Sequence, residues 1–241
     1  MKKSLKLFAT SKWFDLLGVA LVIGIAIASG YLNSRLDQFV HWGAWTKLVP
    51  FGLISVTNVG ISMLSTRFTG KVNKWGNYLG ILNTVLSGTI DYILGNKAAI
   101  ITYPVTFIIY TFAIQKWQKS QEGKPNRFSK IQTRLVAIFA TILAFAFAYG
   151  TNYIGYGGQM NTLAYITTVA FALSLVANVF NALKLTTQWR FWLVYNVVQL
   201  AKASVQGNFA NVGKYIFYIL NALGALFVWN DNEERDNVLA H

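Results

Sequence analysis

Residues 162–183 read TLAYITTVAFALSLVANVFNAL, 22 residues without one charged side chain. A bilayer core of about 30 Å takes about 20 helical residues at about 1.5 Å each, so this stretch is long enough to cross a membrane and far longer than an ordinary strand. Outward from it, the chain divides into windows of similar length and low charge. Eight in all run Trp13 to Leu32, Trp45 to Ser65, Trp75 to Leu94, Ala98 to Gln115, Leu135 to Thr151, Thr162 to Leu183, Trp189 to Val205 and Phe209 to Trp229. None alternates as a barrel strand does, and open sheet edges are not viable in lipid. The pattern predicts an all-α polytopic membrane protein with eight transmembrane helices. The first window is too long for a signal peptide and is expected to stay as a helix.

The composition agrees. Of 241 residues, 54% are hydrophobic and 12% charged, about half the charged share of a soluble domain. The net charge of +13 does not point to nucleic acid, because apolar runs separate the basic residues. The absence of cysteine excludes disulfides, thiolate nucleophiles, iron–sulfur clusters and zinc knuckles.

Counted by alternate loops, 16 Lys and Arg fall on one side: the N-terminal lysines through Lys12, Arg67 to Lys74, Lys116 to Arg134, Lys184, Arg190 and Arg235. Three fall on the other, Arg35, Lys47 and Lys97. The positive-inside rule then predicts cytoplasmic termini. Six tryptophans near window ends, Trp13, Trp45, Trp75, Trp117, Trp189 and Trp229, read mostly as interfacial anchors.

An internal repeat is expected. Gly95-Asn96, Tyr103 and Trp117 recur 112 residues later as Gly207-Asn208, Tyr215 and Trp229. Ser55-x-x-Asn58-Val59 also resembles Ser174-x-x-x-Asn178-Val179. This predicts one membrane domain: an extra helix at 13–32, three-helix units at 45–115 and 162–229, and a linking helix at 135–151. A single linking crossing makes the repeat parallel, a transporter architecture with substrate near the midplane between the units.

Chemistry inside the spans is sparse. Asp91 is the one intramembrane carboxylate expected, and the two histidines, His41 and His241, lie in a loop and at the last residue. No nucleophile elbow, metal-ligand spacing or phosphate loop occurs, so the chain is read as no enzyme, with no catalytic residue, metal or cofactor. Asp91, Lys202 and Lys214 are expected toward the same ends of their helices, as an ion-pair cluster or a vestibule. The remaining polar groups are neutral amides, with Tyr and Trp. Amides can meet hydroxyls and a carboxamide, and aromatic faces can stack on a ring or cation, which suits a small nucleoside. Trp189, Trp192, Asn196 and Gln199 are spaced three, four and three apart and share one helical face. A packing stripe would have the same spacing.

Trp189-Arg-Phe-Trp192-Leu-Val-Tyr-Asn196 resembles the W-x-x-W-x-x-x-N signature of the PnuC family of nicotinamide riboside transporters, and Gly207-Asn208 through Tyr215 to Trp229 resembles that family's C-terminal end. The resemblance implies a multi-pass protein of the bacterial inner membrane, related in fold to SWEET sugar transporters. It further implies a homotrimer that moves nicotinamide riboside by facilitated diffusion for NAD biosynthesis, with the riboside trapped by a cytoplasmic kinase. By carry-over it assigns Trp189, Trp192 and Asn196 to the substrate path, and helical spacing adds Gln199. Asn58, Asn83, Asp91, Tyr103, Asn178, Tyr215 and Asn221 join them by polar position and repeat equivalence. Thiamine, riboflavin and a non-transporting receptor remain alternatives.

Overall fold

The computed structural model describes residues 11–119, 125–126 and 128–238, with backbone alone for 231–238. Lys2, Lys3, Lys6, Lys124 and Arg127, and the side chain of Arg235, therefore lie outside the described part of the orientation count, and His241 lies outside the described residues. Among the described residues there are eight α-helices and no strand. They are α1 (Lys12–Ala28), α2 (Phe51–Gly70), α3 (Trp75–Ile93), α4 (Ala99–Gln118), α5 (Lys130–Gly155), α6 (Thr162–Ala182), α7 (Gln188–Val205) and α8 (Phe209–Val238).

Where helix ends differ from the hydropathy windows, backbone chemistry decides. Gly30 takes φ 73° just beyond α1, so that helix stops before Leu32. The second window begins too early: Trp45 sits in a 3-10 turn, and α2 starts only after Pro50. Proline supplies no N–H and disfavours helix in the residue before it, which suits a helix entry. α5 begins earlier than the window, because Ser129 and Gln132 form reciprocal caps that start the helix at Lys130. Asn161 caps α6 by accepting from Ala164 N at 2.9 Å.

α4, α5, α6 and residues 209–230 of α8 are long and apolar enough to cross a membrane. The other helices fall below that mark for a physical reason. α1 is only 17 residues long, while α2, α3 and α7 bury polar side chains such as Ser62, Asn58, Thr84 and Gln199. Bulky apolar residues on the outside of α5, including Ile138, Phe139, Ile142 and Leu143, are exposed, as suits a lipid-facing surface.

Along the chain α2 packs on α3 and α3 on α4; α6 packs on α7 and α7 on α8. Across the molecule α4 meets α6 and α8 meets α2. The corners match at a shift of 112 residues. After α2, Val72 has φ 58° and Asn73 N donates to Phe68 O at 2.9 Å; after α6, Lys184 has φ 56° and Leu185 N donates to Phe180 O at 2.9 Å. These are six-to-one helix stops of the Schellman kind. Val72 and Lys184 are the only left-handed non-glycine residues among those described. At the opposite ends of α3 and α7, Gly95 and Gly207 take φ 93° and 64°. At this shift Ser174 stands opposite Ser62, not Ser55, so the Ser-Asn likeness of the two helices is out of register.

Three tryptophans read as anchors are buried instead. Trp117 and Trp229 are 4% and 0% exposed, and each indole reaches across the molecule to a main-chain carbonyl: Trp117 Nε1 to Asn181 O at 2.7 Å, Trp229 Nε1 to Gly70 O at 3.0 Å. Trp189 is buried against Trp229, edge to face at 6.0 Å. Trp13, Trp45 and Trp75 are exposed, as anchors should be.

Candidate functional site

A polar cavity of about 150 Å³ lies between α2, α3 and α4 on one side and α6, α7 and α8 on the other. All eleven residues singled out from the sequence line it: Asn58, Asn83, Asp91, Tyr103, Asn178, Trp189, Trp192, Asn196, Gln199, Tyr215 and Asn221. The α7 stripe therefore faces the cavity along its whole length. Packing claims part of it. Asn196 Nδ2 donates to Tyr218 O on α8 at 3.2 Å, and Gln199 Nε2 donates to Tyr195 Oη at 2.7 Å. Trp192 meets the Tyr195 ring edge-on at 5.1 Å.

One end is saturated. The Asp91 carboxylate receives Lys202 Nζ at 2.6 Å, Asn96 Nδ2 at 2.5 Å, Gln206 Nε2 at 3.0 Å and Tyr103 Oη at 3.2 Å. A carboxylate buried away from water needs this many donors, because each lost water contact must be replaced. The bond joins α3 to α7 and thus the two halves of the molecule. Lys214 does not join the ion pair expected of it. It is 4% exposed, with Nζ 4.5 Å from the Tyr215 ring centre and 5.9 Å from that of Tyr218. The cavity lining thus carries one carboxylate and two ammonium groups.

Toward the middle and the other end, hydrogen-bonding capacity is left over. Asn58 Nδ2 donates to Ser87 Oγ at 2.9 Å, which donates to Asn83 Oδ1 at 3.0 Å, while Asn58 Oδ1 has no hydrogen-bond partner among the described residues. Asn178 Oδ1, Asn181 Oδ1, Trp189 Nε1 and Asn221 Nδ2 are likewise buried and unpartnered there. Buried polar groups are rarely left so, and each unmade bond costs about 1–3 kcal/mol. Acceptors and donors mixed on one wall can recognise a neutral polar solute.

Several lining residues escaped the sequence reading, among them Tyr110, Tyr195, Tyr218, Ser62 and Thr66. Tyr195 had a signal, since it lies three residues after Trp192 and four before Gln199. Ser62 and Thr66 had one only in the 112-residue register, as partners of Ser174 and Asn178.

The eight packed helices of the described residues, the exposed apolar side chains along them and the buried polar cavity between them fit a membrane carrier of a small molecule. The sequence model of the nicotinamide mononucleotide transporter family matches residues 52–231. The chain belongs to that family, a family of transporters and not of enzymes. A crystal structure of the vitamin B3 transporter PnuC has the same fold, with a TM-score of 0.67, 16% sequence identity and 93% of each chain covered. No curated protein sequence matches the chain.

Proposed function

We propose that this protein takes up nicotinamide riboside by facilitated diffusion, with the two three-helix units, 45–115 and 162–229, rocking about a central site. The observation that carries the reading is that one cavity gathers both indoles of the α7 stripe with the amides of Asn58, Asn178, Asn181 and Asn221, each of which has an atom with no partner among the described residues. The indoles offer a face to the pyridinium ring, and the amides meet the carboxamide and ribose hydroxyls. The charge asymmetry supports cytoplasmic termini, with the Asp91 end of the cavity facing outward. Facilitated diffusion fits a cavity whose sole carboxylate is held by four donors and so does not serve a proton relay. Phosphorylation by a cytoplasmic kinase would add negative charge to the product and keep it inside. A bacterial inner-membrane homotrimer is the assembly expected.

Purified protein should bind nicotinamide riboside, and proteoliposomes should fill with it without an ion gradient. Obligatory dependence on a proton gradient would sink the uncoupled mechanism, and binding without flux would make the protein a receptor. Lys214 favours a second reading. A buried ammonium with no carboxylate of its own disfavours a cationic ligand, so an uncharged vitamin ring such as riboflavin is the alternative. Competition between nicotinamide riboside, thiamine and riboflavin for one site decides between them.

A further inference from the structure

The helix outside the two three-helix units reaches the cavity through one chain of contacts. α1 packs along α8, with the Phe14 and Phe217 rings 4.9 Å apart. One turn into α1, Asp15 forms an ion pair with Arg67 Nε near the end of α2. The Arg67 guanidinium lies 5.0 Å from the centre of the Phe14 ring and donates through a second nitrogen to Asn221 Oδ1 on α8 at 2.9 Å. Asn221 is 2% exposed and lines the cavity, whereas Asp15 and Arg67 do not.

The direction of the amide follows from this chain. Oxygen and nitrogen of a carboxamide have nearly the same shape, so packing alone does not choose between them. A guanidinium has donors only, and therefore accepts no bond from an amide NH2. Arg67 forces Asn221 to turn its oxygen toward it and its NH2 away. That NH2 has no partner among the described residues. Asp15 meets the guanidinium as an ion pair at Nε, a different nitrogen from the one that bonds Asn221, and neither Asp15 Oδ1 nor Arg67 Nε makes a hydrogen bond among the described residues.

We propose that Asp15, acting through Arg67, is a positioning residue that fixes the Asn221 carboxamide with its NH2 toward the cavity, where it donates to an oxygen of the transported molecule. The helix that stands apart from the two units thereby sets the hydrogen-bonding polarity of one wall of the site. The ligand feature it selects is an acceptor oxygen, a carbonyl or hydroxyl. The inference rests on the reading of the cavity as the substrate site.

The test is a double-mutant cycle on the full chain, with nicotinamide riboside as the probe in calorimetry. Asn221→Ala should weaken binding about tenfold, Asp15→Asn by several-fold, and Asp15→Asn should add nothing in the Asn221→Ala background. Effects that multiply would overturn the proposal. Exchanging the charges, Asp15→Arg with Arg67→Asp, should recover the melting temperature but not the affinity, because a carboxylate at position 67 draws the NH2 of Asn221 toward itself. Recovery of both would assign the pair a purely structural role.

Asn221→Asp guards against a variant that does not fold. It keeps the shape and the bond to Arg67 but removes the donor, so it should melt like the wild type and bind about tenfold more weakly. Wild-type affinity in that variant would overturn the proposal. If the unaltered protein binds no nicotinamide riboside, the proposed function fails, and the cycle is read in melting temperature instead. Non-additive shifts for Asp15→Asn and Asn221→Ala then support the chain, and additive shifts overturn it.

Discussion

The two ends of the cavity use the same kinds of residue in opposite ways. Around Asp91 each carboxylate oxygen is met by protein donors, from α4, from α7 and from the turns that follow α3 and α7. Around Asn178, Asn181, Trp189 and Asn221 the amide and indole groups are just as buried, yet each has an atom with no partner among the described residues. A saturated network fixes structure, because its groups have nothing left to give a ligand. An unsaturated wall is what a transported solute can bind.

The strongest way to break this contrast is to remove one partner from the saturated end. Lys202→Met leaves a buried carboxylate without its cation and should cost about 3–5 kcal/mol of stability, read by unfolding of the purified protein. Removing both charges, Asp91→Asn with Lys202→Met, should cost less than the single change. If the two lose equal stability, the ion pair does not hold the halves together.

The next largest effect belongs at the other end and in another observable. Asn178→Ala should change stability by less than about 1 kcal/mol but weaken nicotinamide riboside binding about tenfold, or about 1.4 kcal/mol. A stability loss as large as that of Lys202→Met would erase the distinction. Trp192→Ala should lower affinity several-fold with a modest drop in melting temperature, since the ring is only partly buried and leans on Tyr195. The smallest effect is set by Trp13, which is 74% exposed: Trp13→Ala should leave binding within error of the wild type. Equal losses for Trp192→Ala and Trp13→Ala would mean that the α7 stripe serves packing alone.

The existence of each helix was legible in the sequence because each span is a long charge-poor window, and the face of α7 because its spacing repeats along the helix. Helix ends were less so. Gly30, Pro50 and Ser129 act through single backbone positions that a hydropathy window averages away. Long-range partners were not legible at all. Trp117 beside Asn181, and Asp15 beside Arg67, join positions 64 and 52 residues apart, and nothing in either segment names its partner. The position of Lys214 failed for a related reason. Its spacing along α8 puts it near Asp91, but Lys202 occupies the carboxylate, and the second ammonium turns to the tyrosine rings.

The paired tryptophan bonds also have a mechanical consequence. Trp117 and Trp229 each tie the last helix of one half to the end of the first helix of the other, both at the end of the molecule where α3 and α7 begin. In the rocking proposed above, two such ties would serve as the hinge line. From Trp75 to Asp91 a helix rises about 24 Å, so a turn of about 5° about that line leaves the ties nearly unstrained but moves the far end by about 2 Å. That displacement is enough to part a hydrogen bond, whose working range spans about half an ångström. The Asp91 and Lys202 pair sits at the tip of this lever, where the smallest rotation has its largest effect.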